Sequence, residues 1–168
     1  IASGDARTPS EAAALNGNAR LTAKCLGGLT VFGRNGDVKW RSAKSAELFA
    51  YLLLQGENGA SRERILEDLF EGMPRQNANV YLNTVAYQLR STLKLHGVRE
   101  AVVSLNDRYK LDPEAVKADF IAFEEGVSAI GTITASNYKA AYELERSYAG
   151  DLFGDKAYLW SLTEKERL

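Results

Sequence analysis

The chain has 168 residues, of which 45% are hydrophobic, 10% aromatic and 26% charged, with a formal net charge of −1, the profile of an ordinary globular chain. A single Cys25 rules out an internal disulfide, and with His96 it supplies no ligand set at zinc spacing, so no metal or other cofactor is expected. The longest apolar stretch, Leu48 to Leu54, falls well short of the ~20 residues that a membrane-spanning helix needs.

Residues 1–22 are rich in Ala, Ser, Gly and Asn, with no apolar period before Leu21, and read as an interdomain linker, partly helical around Ser10 to Leu15. They lack the basic start and apolar centre of a signal peptide, which points to a cytoplasmic protein. A start at Ile1 and an end at Leu168, inside a fresh helical pattern, read as a piece of a longer chain.

The run Lys24 to Gly33 is β-like, Asn35-Gly36 is a turn signal, and Val38 to Trp40 can return as a second short strand. The period then changes. Ala46, Phe49, Ala50 and Leu53 share one helical face, closed by Gly56 and Gly59. Ser61 opens a second helix with Ile65, Leu66, Leu69 and Phe70 as its apolar face, stopped by Gly72 and Pro74. A longer third helix spans about Asn77 to His96, with Leu82, Val85, Ala86, Leu89 and Leu93 repeating every three or four residues up to Gly97. Ala101 to Leu105 and Arg108 to Leu111 form a hairpin about Asn106-Asp107, residues that tolerate left-handed backbone. Past Asp112-Pro113, Asp119 can cap a helix carrying Phe120, Phe123, Val127 and Ile130, and a further helix with Tyr138, Ala141, Tyr142 and Tyr148 runs to Gly150. Ser161 to Glu164 starts another.

The predicted architecture is therefore α+β: an N-terminal β-sheet, three helices and a β-hairpin over residues 23–112, then an all-helical domain over 113–168. Charge divides at the same place. Residues 1–111 carry 15 Lys and Arg against 11 Asp and Glu, whereas residues 112–168 carry 6 against 11.

The third helix presents a second stripe, Tyr81, Thr84, Gln88 and Ser91, flanked by Asn77, Asn83, Tyr87, Arg90 and Lys94, and no acidic residue lies between Arg75 and His96. A solvated helix normally mixes both signs; a face of amides, hydroxyls, Tyr and Arg suits an anionic groove. A hairpin with Arg108 and Lys110 follows at once, the layout of a winged helix, in which the helix enters the major groove and the wing touches the backbone or minor groove. Arg41 and Lys44 before the first helix, and Arg62 and Arg64 in the first turn of the second, sit where helix amides already favour phosphate. Read alone, each of these is equally a solubilising surface charge.

The strings CLGGLTVFG, WRSAKSAELFAYLLLQ, ASRERILEDLF, NVYLNTVAYQLRSTL and RYKLD, in that order, closely resemble the OmpR-type winged helix of the SARP (Streptomyces antibiotic regulatory protein) group of transcriptional activators. DFIAFEEGV, AAYELERSYAGDLFGD and YLW resemble the opening of the bacterial transcriptional activator domain that follows it in that group, so the match covers residues 24–168. The resemblance implies a DNA-binding output module with a tetratricopeptide-like helical domain behind it. It makes Asn77 to Leu95 the recognition helix, Gly72 to Asn79 a loop that touches RNA polymerase, and Asn106 to Lys110 the wing. It further implies activation, a homodimer on DNA, and an upstream receiver domain of a two-component phosphorelay. Where many relatives carry a basic pair in mid-helix this chain has Tyr87-Gln88, and Asp107-Arg108 stands where glycines are frequent, so base preference does not transfer. Gln88 and Asn83 have the groups for bidentate adenine contacts and Thr84 for a thymine methyl.

Two other classes compete with this one. A winged helix that has lost DNA contact and docks on a protein is allowed by the thin positive charge of the third helix. An enzyme is disfavoured, because no paired carboxylates, Gly-rich phosphate loop or nucleophile arrangement can be assembled.

Overall fold

The computed structural model describes residues 21–168. In chain order the elements are β1 (Leu21–Lys24), β2 (Thr30–Gly33), β3 (Gly36–Asp37), α1 (Ala43–Gln55), β4 (Ala60–Ser61), α2 (Arg62–Leu69), α3 (Arg75–Leu95), β5 (Val102–Leu105), β6 (Arg108–Leu111), β7 (Val116–Ala118), α4 (Asp119–Ile130), α5 (Tyr138–Ser147) and α6 (Leu162–Arg167). Most of the expected linker lies outside the described residues, but Leu21 and Thr22, assigned to it, are the first residues of β1.

Strands β3-β2-β1-β7 form one sheet and β4-β6-β5 a second. The run Lys24 to Gly33 is not one strand. Gly27 turns the chain at φ +81, and a Cβ there would lie 2.7 Å from the Ala149 carbonyl oxygen, so only glycine fits the close approach. The returning strand is Gly36–Asp37 rather than Val38 to Trp40. Val38 still donates its amide to Val31 O at 2.8 Å, but the chain leaves the sheet edge to bury Val38 and to set Trp40 against Phe49, with ring centroids 5.1 Å apart.

Ser42 caps α1 in a reciprocal box with Ser45, and α1 is buried on nearly every side, with Leu48, Phe49, Ala50, Tyr51 and Leu52 at 0–1% exposure. It is the central post of the fold. Ser61 caps α2 through the Arg64 amide. Helix α3 buries Leu82, Val85, Ala86, Leu89 and Leu93 against α1 and begins at Arg75, two residues earlier than the periodicity suggests, behind Pro74. Asn106 and Asp107 both adopt positive φ, 51 and 57, and join β5 to β6 in register Leu105 opposite Arg108. Gly59, also at positive φ, lies under β6, where a Cβ would overlap the Tyr109 carbonyl oxygen.

The part expected to be all-helical opens with a strand. β7 pairs in parallel with β1, Leu21 opposite Val116 and Ala23 opposite Ala118. Asp119 does not cap α4 from outside; it is the helix's first residue, and its carboxylate accepts from the amides of Cys25 (2.7 Å) and Leu26 (3.1 Å), where the chain leaves β1. The Asp119→Asn variant loses the charge and one acceptor and is expected to unfold about 1–2 kcal/mol more easily, as read from the urea midpoint.

Further on, Phe153 donates its amide to Cys25 O at 2.6 Å, and Gly27 donates to Asp151 O at 2.9 Å. Tyr51 of α1 meets Trp160 edge-on at 5.1 Å; Trp160 stacks on Tyr158, also at 5.1 Å, and donates Nε1–H to Glu47 at 3.0 Å. Burial and the nearby Glu47 charge push the Tyr158 hydroxyl up to about 12. These aromatics, together with Leu152 and Phe153, belong to the same apolar cluster as α1 and α3, so residues of the helical half complete the core of the first half.

Candidate nucleic-acid interface

Helix α3 positions the candidate site. Seven of its residues face inward, and this fixes what lies opposite: Val80, Thr84 and Tyr87, four and seven residues along the helix, form the midline of the exposed face. Val80 is 63% and Tyr87 66% exposed. The stripe expected from sequence, Tyr81, Thr84, Gln88 and Ser91, shares Thr84 with this midline, while Tyr81, Gln88 and Ser91 are less open. Tyr81 leans toward α2 and packs edge-on against Phe70 at 5.4 Å, Ser91 is half-buried, and Gln88 is held beside the start of α1. There the Ser42 hydroxyl donates to Gln88 Oε1 at 2.6 Å. Val80 escaped the sequence reading because it is apolar; counting residues away from the buried set Leu82, Val85, Leu89 would have found it.

The cations divide into two groups. Arg62, expected to hold a phosphate, is spent inside the fold: Nε donates to Asn79 Oδ1 (2.7 Å), one terminal nitrogen to the Tyr109 hydroxyl (2.8 Å), and the other to Asn79 O (3.0 Å) and Asn83 Oδ1 (2.8 Å). This planar fork ties α2, α3 and the hairpin together. Arg90 lies over the Tyr109 ring at 5.9 Å and reaches Val102 O at 3.4 Å. Arg108 donates to Asn58 O at 2.9 Å, bracing the hairpin on the turn after α1. Lys44 donates to Leu69 O at 2.9 Å and pairs with Glu47 at 2.6 Å. Arg75 pairs with Glu63 and Arg64 with Asp68.

Arg41, Lys94 and Lys110 are exposed and enter no salt bridge or side-chain hydrogen bond among the described residues, so their charges face solvent. Asn77 is exposed at the first turn of α3. The Thr84 hydroxyl donates to Val80 O at 3.3 Å.

Away from this face, α2 and the turn into α3 border a groove of about 400 Å³ lined by Glu63, Glu67, Glu71, Phe70, Met73 and Arg75. It takes in part of the segment 72–79, expected to be a loop, of which Arg75 to Asn79 is instead the first turn of α3, and it is acidic, unlike the α3 face. Burial, with the Asp119 charge beside it, pushes the Cys25 thiol well up, so it stays protonated and is a poor nucleophile. Among the described residues no group of three His, Cys, Asp or Glu side chains could hold a metal ion, and no helix is long and apolar enough to cross a membrane.

No protein-family model matches the chain, and no curated protein matches it by sequence. Among solved structures it is similar to Mycobacterium tuberculosis EmbR, determined in complex with a low-affinity phosphopeptide: the TM-score is 0.65 over 88% of this chain, at 20% sequence identity. The chain spans 40% of the length of that EmbR chain. The likeness is one of fold: a mixed α/β arrangement in which, among the described residues, six α-helices accompany two small sheets.

Proposed function

We propose that the chain is the DNA-binding output part of a SARP-type transcriptional regulator, a winged helix over residues 23–112 followed by a helical activator-type segment over 113–168, and acts as a regulator rather than a catalyst. The observation that carries this reading is the exposed face of α3, twenty residues without a carboxylate from Gln76 to Leu95, set beside the β5–β6 hairpin. The EmbR-like fold supports it. In this reading α3 enters the major groove while Arg41, Lys94 and Lys110 approach phosphates, and Arg62, Arg90 and Arg108 hold helix and hairpin at a fixed angle. The reading extends to a homodimer on DNA, activation through contact of residues 72–79 with RNA polymerase, control by an upstream receiver domain and a cytoplasmic location.

Selection of bound sequences from random duplex DNA, at low and moderate salt, tests it: an enriched repeated motif is expected. Phosphate contacts by Arg41, Lys94 and Lys110 predict a slope of log K against log salt of about −2.7, and Lys94→Ala or Lys110→Ala should each make it shallower by about 0.9. A slope that neither variant changes would remove these residues from the interface.

The engagement of Arg62, Arg90, Arg108 and Lys44 in bonds within the chain favours one other reading, a docking module in which this face meets a protein. Binding of a partner that neither salt nor competing nucleic acid weakens would support that instead.

A further inference from the structure

The proposed DNA-binding role leaves open which base edge the helix selects, and the inference below rests on that role. On the midline of α3 the groups offered outward are of two kinds. Val80 and Tyr87, 63% and 66% exposed, present apolar surface, and Thr84 lies between them with its hydroxyl hydrogen donated to Val80 O. On either side stand two amides whose oxygens already accept from within the fold, Asn83 Oδ1 from Arg62 and Gln88 Oε1 from Ser42. Each amide keeps its NH2 group, a donor, without a partner among the described residues.

A bidentate contact to adenine needs an amide that donates to N7 and accepts from N6 with a free oxygen, and a contact to cytosine needs an acceptor for N4. At Asn83 and Gln88 one acceptor site of the oxygen is already taken while the NH2 group makes no bond among the described residues, and the face has no carboxylate, so beside Val80 and Tyr87 these two amides are offered chiefly as donors; the amide of Asn77 lies apart, in the first turn of the helix. Guanine, with two acceptors, calls for Arg or Lys; on α3 Arg90 is folded back on Tyr109, and Lys94 lies about two turns beyond Tyr87, away from the apolar pair. Thymine shows one acceptor, O4, beside an apolar C5 methyl group, the complement of one amide donor beside an apolar side chain. We infer that α3 selects thymine by its methyl group, with Val80 and Tyr87 as specificity-determining residues and the Asn83 amide donating to O4.

The test uses the tightest duplex recovered from the random pool, with each thymine replaced in turn by deoxyuridine, which removes the methyl and leaves base pairing intact. At one or two positions the chain should bind about fourfold more weakly, the effect expected for one buried methyl-sized group. In the Val80→Ala variant, an exposed change that the core does not feel, the penalty at one of these positions should fall to near unity while the salt slope stays the same. If every deoxyuridine duplex binds as tightly as its parent while a motif is still enriched, the thymine inference is overturned and the DNA-reading role stands. If the chain enriches no motif, both fall together.

Discussion

Phe153→Ala is expected to destabilise the whole of the described fold, by about 3–5 kcal/mol, although Phe153 lies some forty residues beyond the hairpin. Its side chain is fully buried among Tyr158 and Trp160, at ring distances of 5.7 and 5.8 Å, and its amide closes on Cys25 O at the end of β1. Truncation leaves a cavity between α1 and the segment after α5, and the surrounding aromatics cannot collapse into it while Trp160 is held by Glu47. Trp40, in the first half, and Trp160, in the second, are the two tryptophans of the chain and serve as separate fluorescence reporters. In single-tryptophan versions both should report one urea midpoint, lowered equally by the substitution. If Trp160 shifts and Trp40 does not, the halves fold independently and the shared core is a weak contact. Phe153→Leu, which keeps most of the volume, should cost less than half as much.

Arg62→Ala should cost about 2–4 kcal/mol, because four bonds from one guanidinium are lost and the Asn79 and Asn83 oxygens and the Tyr109 hydroxyl lose their donor. Its effect on DNA binding should exceed what unfolding explains, since Arg62 sets α3 against the hairpin and fixes which end of the Asn83 amide faces outward. Arg62→Lys is the informative companion: an ammonium keeps the charge but cannot reach three residues as a planar fork, so it should recover little of either loss. Measured well below each variant's midpoint, duplex binding that is unchanged in Arg62→Lys would show that Arg62 acts as a point charge after all.

The residues that bear on both predictions show how differently parts of this molecule can be read. The apolar repeat through Leu82, Val85, Leu89 and Leu93 identified α3 and its buried face, because burial of one stripe is what makes an amphipathic segment helical. Ser61, the Asn106-Asp107 turn and the glycines after α1 and α3 likewise carried their own local chemistry. These features lie within a few residues of one another, so the sequence by itself determined the helices, the hairpin and the absence of acid on α3.

What only the tertiary structure decided is which polar group meets which. β7 joins β1 across more than ninety residues, a three-residue strand with too few positions to show a period of its own. Asp119 reads as a helix cap until β1 offers it two unpaired amides. Arg62 and Lys94 are both cations beside a polar helix in the sequence, yet one is spent on Asn79, Asn83 and Tyr109 while the other faces water. A side chain's charge is a property of the residue, but its availability depends on donors and acceptors that folding brings from elsewhere in the chain.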